Sequence, residues 1–222
     1  MPKAKKTRRI KDKWREKVWV TVRAPVSFGS TPVAYIPVTE PEKAIGRVLE
    51  TTLFDLVKQD PQQHAIKLYF QIEKIENDNA TTIFKGHEYG REYLRSLIRR
   101  GSSMVSAIND YLTRDGMKVR VYLVVFAQRR LNASRKHGIR SLALKILTEK
   151  TSSLTYDQFA QEAVLGKIAS DIYNEAKKIA HLRHVGIRKT KLVGKAVQPI
   201  EVIAEAPVVS QVASGTASPS SP

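Results

Sequence analysis

The sequence contains no cysteine, which excludes disulfide bonds, zinc ribbons and thiolate metal sites. Aromatic side chains make up only 7% of its 222 residues. We find no strand with the paired aromatics on which RNA-recognition motifs stack unpaired bases. The longest apolar run, residues 121–127, is too short to cross a bilayer, and no apolar core of a secretory signal follows the basic N-terminus. We therefore expect a soluble, intracellular chain with no membrane partner.

Motifs that carry chemistry are also scarce. Gly86 and Gly90 belong to neither of the two common phosphate-binding glycine patterns. His181 and His184 are three residues apart and could share a helix face, but two histidines with no carboxylate close by make a weak metal site. The serine pairs at 102–103 and 152–153 lack a recognisable base. We therefore expect no catalytic residue, no metal, no cofactor and no small-molecule substrate.

Positive charge is abundant and unevenly distributed. The formal net charge is +17. Residues 1–23 contain ten Lys or Arg against two acids, and residues 91–150 contain fourteen against four. Residues 24–90 contain six against nine, and residues 196–222 contain two acids and no base. A charge of this size concerns partners and solubility rather than fold, so separate basic regions predict a polyanionic partner.

The strongest signal is a basic segment that follows an alternating apolar strand. No acidic residue occurs between Lys118 and Leu147. The cations of this segment are Arg129, Arg130, Arg135, Lys136 and Arg140. A charge run is usually a solvated surface, but this run has no acidic neighbours with which to pair. Arginine grips phosphate with its forked donors and lysine supplies a point charge, so the segment predicts contact with nucleic acid, with RNA the leading candidate.

Two further basic regions are candidate RNA contacts. In the terminal segment, residues 188 and 189 point to opposite faces of a strand, so both can contact RNA only at a sheet edge or a strand end. The candidates there are Arg188, Lys189 and Lys191. The N-terminal candidates are Lys3, Lys5, Lys6, Arg8, Arg9, Lys11 and Lys13. Like charges at this density oppose compact structure until a polyanion neutralises them.

The periodicity of apolar residues predicts an α+β fold: a largely antiparallel sheet or open β-barrel with helices packed at one end. Residues 66–72 alternate strictly, and the strand that follows them is predicted to end near Gly86. A second hairpin, with strands at residues 104–112 and 117–127, is predicted around Asp115-Gly116, a pair that suits a type I′ turn. Helical spacing begins at Ile139, and an extended segment around Val185 predicts a terminal strand.

Composition predicts three parts of the chain. Residues 1–16 form a basic flexible arm, residues 17–195 form a single globular domain that binds RNA, and residues 196–222 form a flexible tail.

Several segments, in this order, resemble one family. They are residues 17–25, 46–50, 84–86, 113–116, 126–135 and 185–191. Each segment is weakly specific alone, but their order and spacing together resemble the archaeal and eukaryotic family of small-subunit ribosomal proteins called eS-one, with the older name S-three-a-e. The resemblance covers about residues 17–195.

The resemblance implies an α+β structural constituent of the small ribosomal subunit with no enzymatic activity. It implies a position on the platform, beside the messenger exit path and the 3′ region of the small-subunit ribosomal RNA (rRNA). The implied partners are this rRNA and neighbouring small-subunit proteins, with mRNA nearby, in the cytoplasm. The short, uncharged stretch 206–222 has no room for eukaryotic extensions and favours an archaeal source.

Three alternatives stay open from the sequence. A non-ribosomal RNA-binding or RNA-processing factor would carry similar basic surfaces. An RNA-modifying or RNA-cleaving enzyme should show an acid/base pair or a cofactor loop, and we find neither. A DNA-compacting protein would bind duplex DNA without regard to RNA structure.

Overall fold

The computed structural model describes residues 14–76 and 78–195. Within these two ranges the chain forms eight β-strands and five α-helices. The strands are β1 (Val18–Arg23), β2 (Pro32–Val38), β3 (Val48–Thr52), β4 (Ile66–Glu76), β5 (Asn79–Tyr89), β6 (Met104–Leu112), β7 (Met117–Ala127) and β8 (Leu182–Lys195). The helices are α1 (Leu53–Val57), α2 (Arg91–Leu97), α3 (Ala133–Ser153), α4 (Tyr156–Val164) and α5 (Lys167–Ala176).

The eight strands of the described chain belong to one sheet. Its main order is β2-β1-β5-β8-β7-β6, while β4 pairs with β5 and β3 pairs with β4. Neighbouring strands are antiparallel except β1 and β5, which run parallel over two residue pairs. The predicted α+β architecture with a largely antiparallel, open sheet is therefore confirmed.

The hairpin β4–β5 forms where the apolar alternation is strictest. Leu68 and Phe70 point into the core, and Phe70 lies opposite Phe84 with ring centroids 6.0 Å apart. The prediction that β5 ends near Gly86 is wrong, because the strand continues to Tyr89. A shift in pairing at Gly86 bends the strand without ending it, and the additional residues reach β8.

The hairpin β6–β7 begins and ends where the sequence predicts, but its turn differs. A type I′ turn needs positive φ at both central residues, and here only Gly116 has it, with φ +71°. The Gly116 N–H donates to the Thr113 carbonyl at 2.9 Å, and the Thr113 N–H donates to the Met117 carbonyl at 3.0 Å. These bonds define a three-residue loop in which glycine takes the left-handed position.

Helices α3, α4 and α5 cover one face of the sheet. Their buried residues pack against alternate residues of β7 and against β4, β5 and β8. Representative side chains of this core are Leu68, Phe70, Phe84, Val121, Val125, Ile139, Leu147, Phe159, Ile168, Ile172 and Ile187. Full burial of such a side chain stabilises a fold by about 1.5–3 kcal/mol, so this layer supplies most of the apolar stabilisation. No helix in residues 14–76 and 78–195 is both long and apolar enough to cross a membrane.

Strand β8 joins the two halves of the sheet by approaching β5 at very short range. A Cβ atom at Gly86 would lie 2.1 Å from the carbonyl oxygen of Thr190, so only glycine fits without moving backbone. The backbone N–H of His87 donates to Thr190 Oγ1 at 3.1 Å. The junction thus consists of a backbone contact at Gly86 and a hydrogen-bonded side chain beside it.

The buried imidazole of His87 completes this junction. Its Nδ1 lies 2.9 Å from Thr190 Oγ1, and its Nε2 lies 3.1 Å from the Ile187 carbonyl. Because the carbonyl can only accept, Nε2 carries the proton and Nδ1 accepts from the threonine hydroxyl. Burial lowers the pKa of His87 to about 4, so the ring is neutral near pH 7.

Replacing Gly86 with alanine is expected to lower the free energy of unfolding by about 3 kcal/mol or more, because β5 and β8 must move apart. Urea unfolding followed by circular dichroism measures the loss. The matched control is Gly138→Ala inside α3, where a Cβ would meet only Ile179 Cδ1 at 3.8 Å. That variant is expected to be more stable by up to about 1 kcal/mol, since alanine favours helix. Equal stability of Gly86→Ala and the native chain would contradict the close approach.

The free energy of unfolding is also expected to decrease as the pH is lowered, because His87 is buried in its neutral form. The folded state holds this ring neutral down to about pH 4, whereas the unfolded chain protonates it near pH 6.5. Its contribution is therefore fully present above pH 6.5 and is lost as the pH falls toward 4, at about 1.4 kcal/mol per pH unit. His87→Gln should reduce the difference in unfolding free energy between pH 7 and pH 4.5 by roughly 2–3 kcal/mol. The same change at the exposed His64 is the control, and an unaltered pH dependence in His87→Gln would contradict this account.

Candidate nucleic-acid interface

A basic cleft of about 380 Å³ opens where the chain leaves β7 and where it returns to β8. The segment after β7 and the first turn of α3 form one wall, and the residues that follow α5 form the other. The lining residues are Arg129, Arg130, Leu131, Arg135, Lys177, Lys178, Ile179, Ala180 and His181. Five of these nine side chains are cationic, so the cleft is suited to an anion.

Hydrogen bonds hold the backbone of the first wall in place and join it to the second wall. The Gln128 N–H donates to the His181 carbonyl at 3.1 Å, which ties the end of β7 to the start of β8. The Leu131 N–H donates to the hydroxyl of the buried Ser103 at 3.0 Å, and the Ala127 N–H donates to the Ser103 carbonyl at 2.9 Å. The cationic side chains therefore project from a fixed backbone rather than from a free loop.

The N-terminus of α3 opens beside this cleft. The sequence predicts helical spacing from Ile139, but the helix begins six residues earlier, after Asn132. The Asn132 side chain makes no capping bond, and the first turn contains no acid. Cations in a first turn are unfavourable, because the free N–H groups already carry partial positive charge. Arg135 and Lys136 occupy this turn, an arrangement that a bound phosphate stabilises.

Most cations of the cleft have no acidic partner in the described chain. Among the ion pairs between described residues, only that of Lys178 with Glu175, at 2.9 Å, involves a lining residue. Arg129, Arg130 and Arg135 are exposed. Their charge is thus available to an external polyanion rather than consumed within the protein.

The structure brings three of the predicted residues, Arg129, Arg130 and Arg135, into one cleft with Lys136 beside them. Arg140 lies one turn farther along α3, and its guanidinium donates from Nε to the Ser106 carbonyl at 3.0 Å. This bond anchors Arg140 to β6 outside the cleft, although its side chain stays exposed.

The predicted residues of the terminal strand lie elsewhere on the sheet. Because β8 lies between β5 and β7, it is an interior strand, and the condition that the strand lie at a sheet edge is not met. Lys189 pairs with Glu88 at 2.8 Å. Arg188 and Lys191 are exposed and away from the cleft. Their contact with RNA stays a prediction.

The seven N-terminal candidates, residues 3–13, lie outside the described residues. Residues 14–16, which we assigned to the arm, form a turn. The Lys17 ammonium lies 3.6 Å from the centre of the Trp14 ring, so a cation–π contact spans the turn that precedes β1.

Sequence reasoning missed the second wall of the cleft. The sequence patterns assigned no contact to Lys177 or Lys178, and we considered His181 only as a metal ligand. His184 instead lies among aromatic rings, 5.9 Å from Tyr93 between centroids, and burial lowers its pKa. No group of three or more metal-ligating side chains exists within the part of the chain that the structure describes. The available signal was a lysine pair, Lys177 and Lys178, a few residues before a returning strand.

Comparison with known proteins defines the class of this chain. The profile of the Ribosomal S3Ae family matches residues 5–196. The chain therefore belongs to the Ribosomal S3Ae family, a family of structural ribosomal proteins rather than enzymes.

Three relatives, all from archaea, are named small ribosomal subunit protein eS1. The relative from Desulfurococcus amylolyticus is 45% identical over 183 residues, which cover 82% of this chain and 85% of the relative. The relative from Archaeoglobus fulgidus is 42% identical over 214 residues, covering 96% and 100%. The relative from Sulfurisphaera tokodaii is 42% identical over 183 residues, covering 82% and 94%. The resemblance found in the sequence segments is confirmed.

Removing the charges of the first wall is expected to flatten the salt dependence of rRNA binding. The variant changes Arg129, Arg130, Arg135 and Lys136 to Gln. Each phosphate contact contributes about −0.9 to the slope of log affinity against log salt on a duplex. The slope should therefore become shallower by about 3–4 units if all four side chains reach phosphates.

A matched control variant changes Lys43, Arg47, Lys58 and Lys74 to Gln. These substitutions remove four cations from residues 24–90, the region with the lowest net charge. Both variants lose the same total charge, so a general electrostatic effect changes both slopes equally. A larger change in the cleft variant supports the cleft. Equal changes in two correctly folded variants would show that the RNA contacts lie elsewhere.

Proposed function

We propose that this chain is a structural component of the small ribosomal subunit that binds small-subunit rRNA through its basic cleft. The observation that carries the proposal is the convergence of Arg129, Arg130 and Arg135 with Lys177 at the open N-terminus of α3. Phosphate is the anion that suits both features, because it accepts forked arginine bonds and helix N–H groups alike. Family membership makes rRNA the polymer that supplies it.

The proposed binding recognises backbone and shape rather than base sequence. The cleft offers cations and backbone donors, but its lining residues include no phenylalanine, tyrosine or tryptophan. Unpaired bases commonly stack on these large rings. A folded RNA that presents closely spaced phosphates is therefore the ligand that fits.

The family resemblance supports a particular position within the subunit. We place the chain on the platform, beside the messenger exit path, with neighbouring small-subunit proteins as further partners and the cytoplasm as its compartment. Residues 17–195 act as one rRNA-binding domain in this proposal, and residues 1–16 add phosphate contacts as a basic arm.

The experiment is sedimentation of small subunits from cells that express a tagged copy of the chain. Gradient fractions are probed for the tag at increasing salt, with a known small-subunit protein as the reference. The chain is expected in the small-subunit fractions at close to one copy per subunit. Its presence only in free or large-subunit fractions at moderate salt would contradict the proposal, and association with other RNA would favour the non-ribosomal alternative.

A further inference from the structure

An open apolar groove of about 360 Å³ lies between α2 and the hairpin β6–β7, and it shares no lining residue with the basic cleft. Its floor includes Ile108, Tyr122 and Phe126, and its wall includes Leu94 and Ile98. The floor residues alternate along β6 and β7 with residues of the core that α3, α4 and α5 cover. They therefore point to the other face of the sheet.

The apolar residues of this groove are exposed to an unusual degree. The exposed fraction is 61% for Ile108, 57% for Ile98 and 50% for Met104. Contiguous exposed apolar surface on a folded protein generally marks a binding site. None of these three exposed side chains is aromatic, whereas unpaired bases commonly stack on aromatic rings. The exposed part of the groove is therefore better suited to aliphatic side chains than to bases.

The charged residues of the groove are all arginines. Arg91, Arg95 and Arg188 line it, and its lining residues include no lysine and no acid. The basic cleft, in contrast, is lined by lysines as well as arginines. Arginine, methionine and aromatic residues are enriched in protein–protein interfaces, and lysine is depleted there. The groove thus has the composition of a protein interface.

The arginines of the groove are available to an external partner. None of the ion pairs between described residues involves them. Asp110 lies two residues beyond Ile108 on β6, but Arg120 already donates to both of its carboxylate oxygens, at 2.6 and 2.9 Å. Unpaired charges of one sign beside an apolar floor are complementary to a ligand that brings carboxylates together with aliphatic side chains.

We propose that this groove binds a segment of a neighbouring small-subunit protein in which Asp or Glu flanks aliphatic side chains. The acids pair with Arg91, Arg95 and Arg188, and the aliphatic side chains cover Ile98 and Ile108. An RNA strand supplies phosphates to the arginines but leaves the apolar floor exposed to water. The inference rests on the proposed function, since assembly into the small subunit brings the neighbouring chain to the groove.

Photochemical cross-linking within small subunits tests this proposal. Ser106, an exposed residue of β6 that lines the groove, is replaced with the photoreactive residue p-benzoylphenylalanine in the tagged chain. Small subunits from the gradient are irradiated and digested, and mass spectrometry identifies what is attached to position 106. The expected product is a peptide of another small-subunit protein that contains acids beside aliphatic residues.

Charge reversal separates a specific ion pairing from simple proximity. Arg91→Glu with Arg95→Glu is expected to lower the cross-linking yield per subunit at least tenfold. The matched control is Arg99→Glu with Arg100→Glu, which makes the same charge change at exposed positions just beyond α2 and outside the groove. Its yield should be unchanged. Changing the acids of the captured segment to Lys should restore the yield of the Arg91→Glu, Arg95→Glu chain.

The outcomes distinguish failure of this inference from failure of the proposed function. Cross-links confined to RNA, to a second copy of this chain or to this chain itself would overturn the inference alone, because the chain would still be in the subunit. The absence of any cross-link would do the same, as would a yield that both charge reversals lower equally. Absence of the chain from the small-subunit fractions would contradict the proposed function and the inference together.

Discussion

The close approach of β5 and β8 at Gly86 is the constraint on which the rest of the described structure depends. Strands β1–β5 and strands β6–β8 are two groups within the sheet, and β8 connects them by pairing with β7 along its length and with β5 at Glu88. The Gly86 backbone allows the contact, and His87 secures it with hydrogen bonds to Thr190 and Ile187. Without this junction the two halves of the sheet would share no strand pairing.

The same strand links the fold to the proposed function. Because β8 must begin beside the end of β7, the residues before it lie against the residues after β7, and the two basic walls of the cleft meet there. Arg188 of the same strand lines an open apolar groove of about 360 Å³, to which β6, β7 and α2 also contribute. The domain thus presents a cleft of cations suited to phosphate and, separately, an open apolar groove.

Local signals could be predicted from the sequence, and long-range placements could not. The hairpin β6–β7 was predicted to the residue, since alternating apolar residues and Asp115-Gly116 are short-range features. The interior position of β8 depends on contacts about a hundred residues apart, for which a single sequence gives no signal. The first wall of the cleft was visible in the sequence as a run of basic residues. Lys177 is distant from that run in the sequence, and only the fold brings it to the cleft. The start of α3 was missed because its first turn is charged rather than periodically apolar.

The most direct test of the central claim is ultraviolet cross-linking of small ribosomal subunits that contain this chain, followed by mass spectrometry of the peptides attached to RNA. The account predicts cross-linked peptides from both walls of the cleft, residues 128–140 and residues 177–183, in the same subunits. Cross-links confined to β1, β2 and β3, with both walls unmodified, would contradict the claim that the cleft is the rRNA-binding surface.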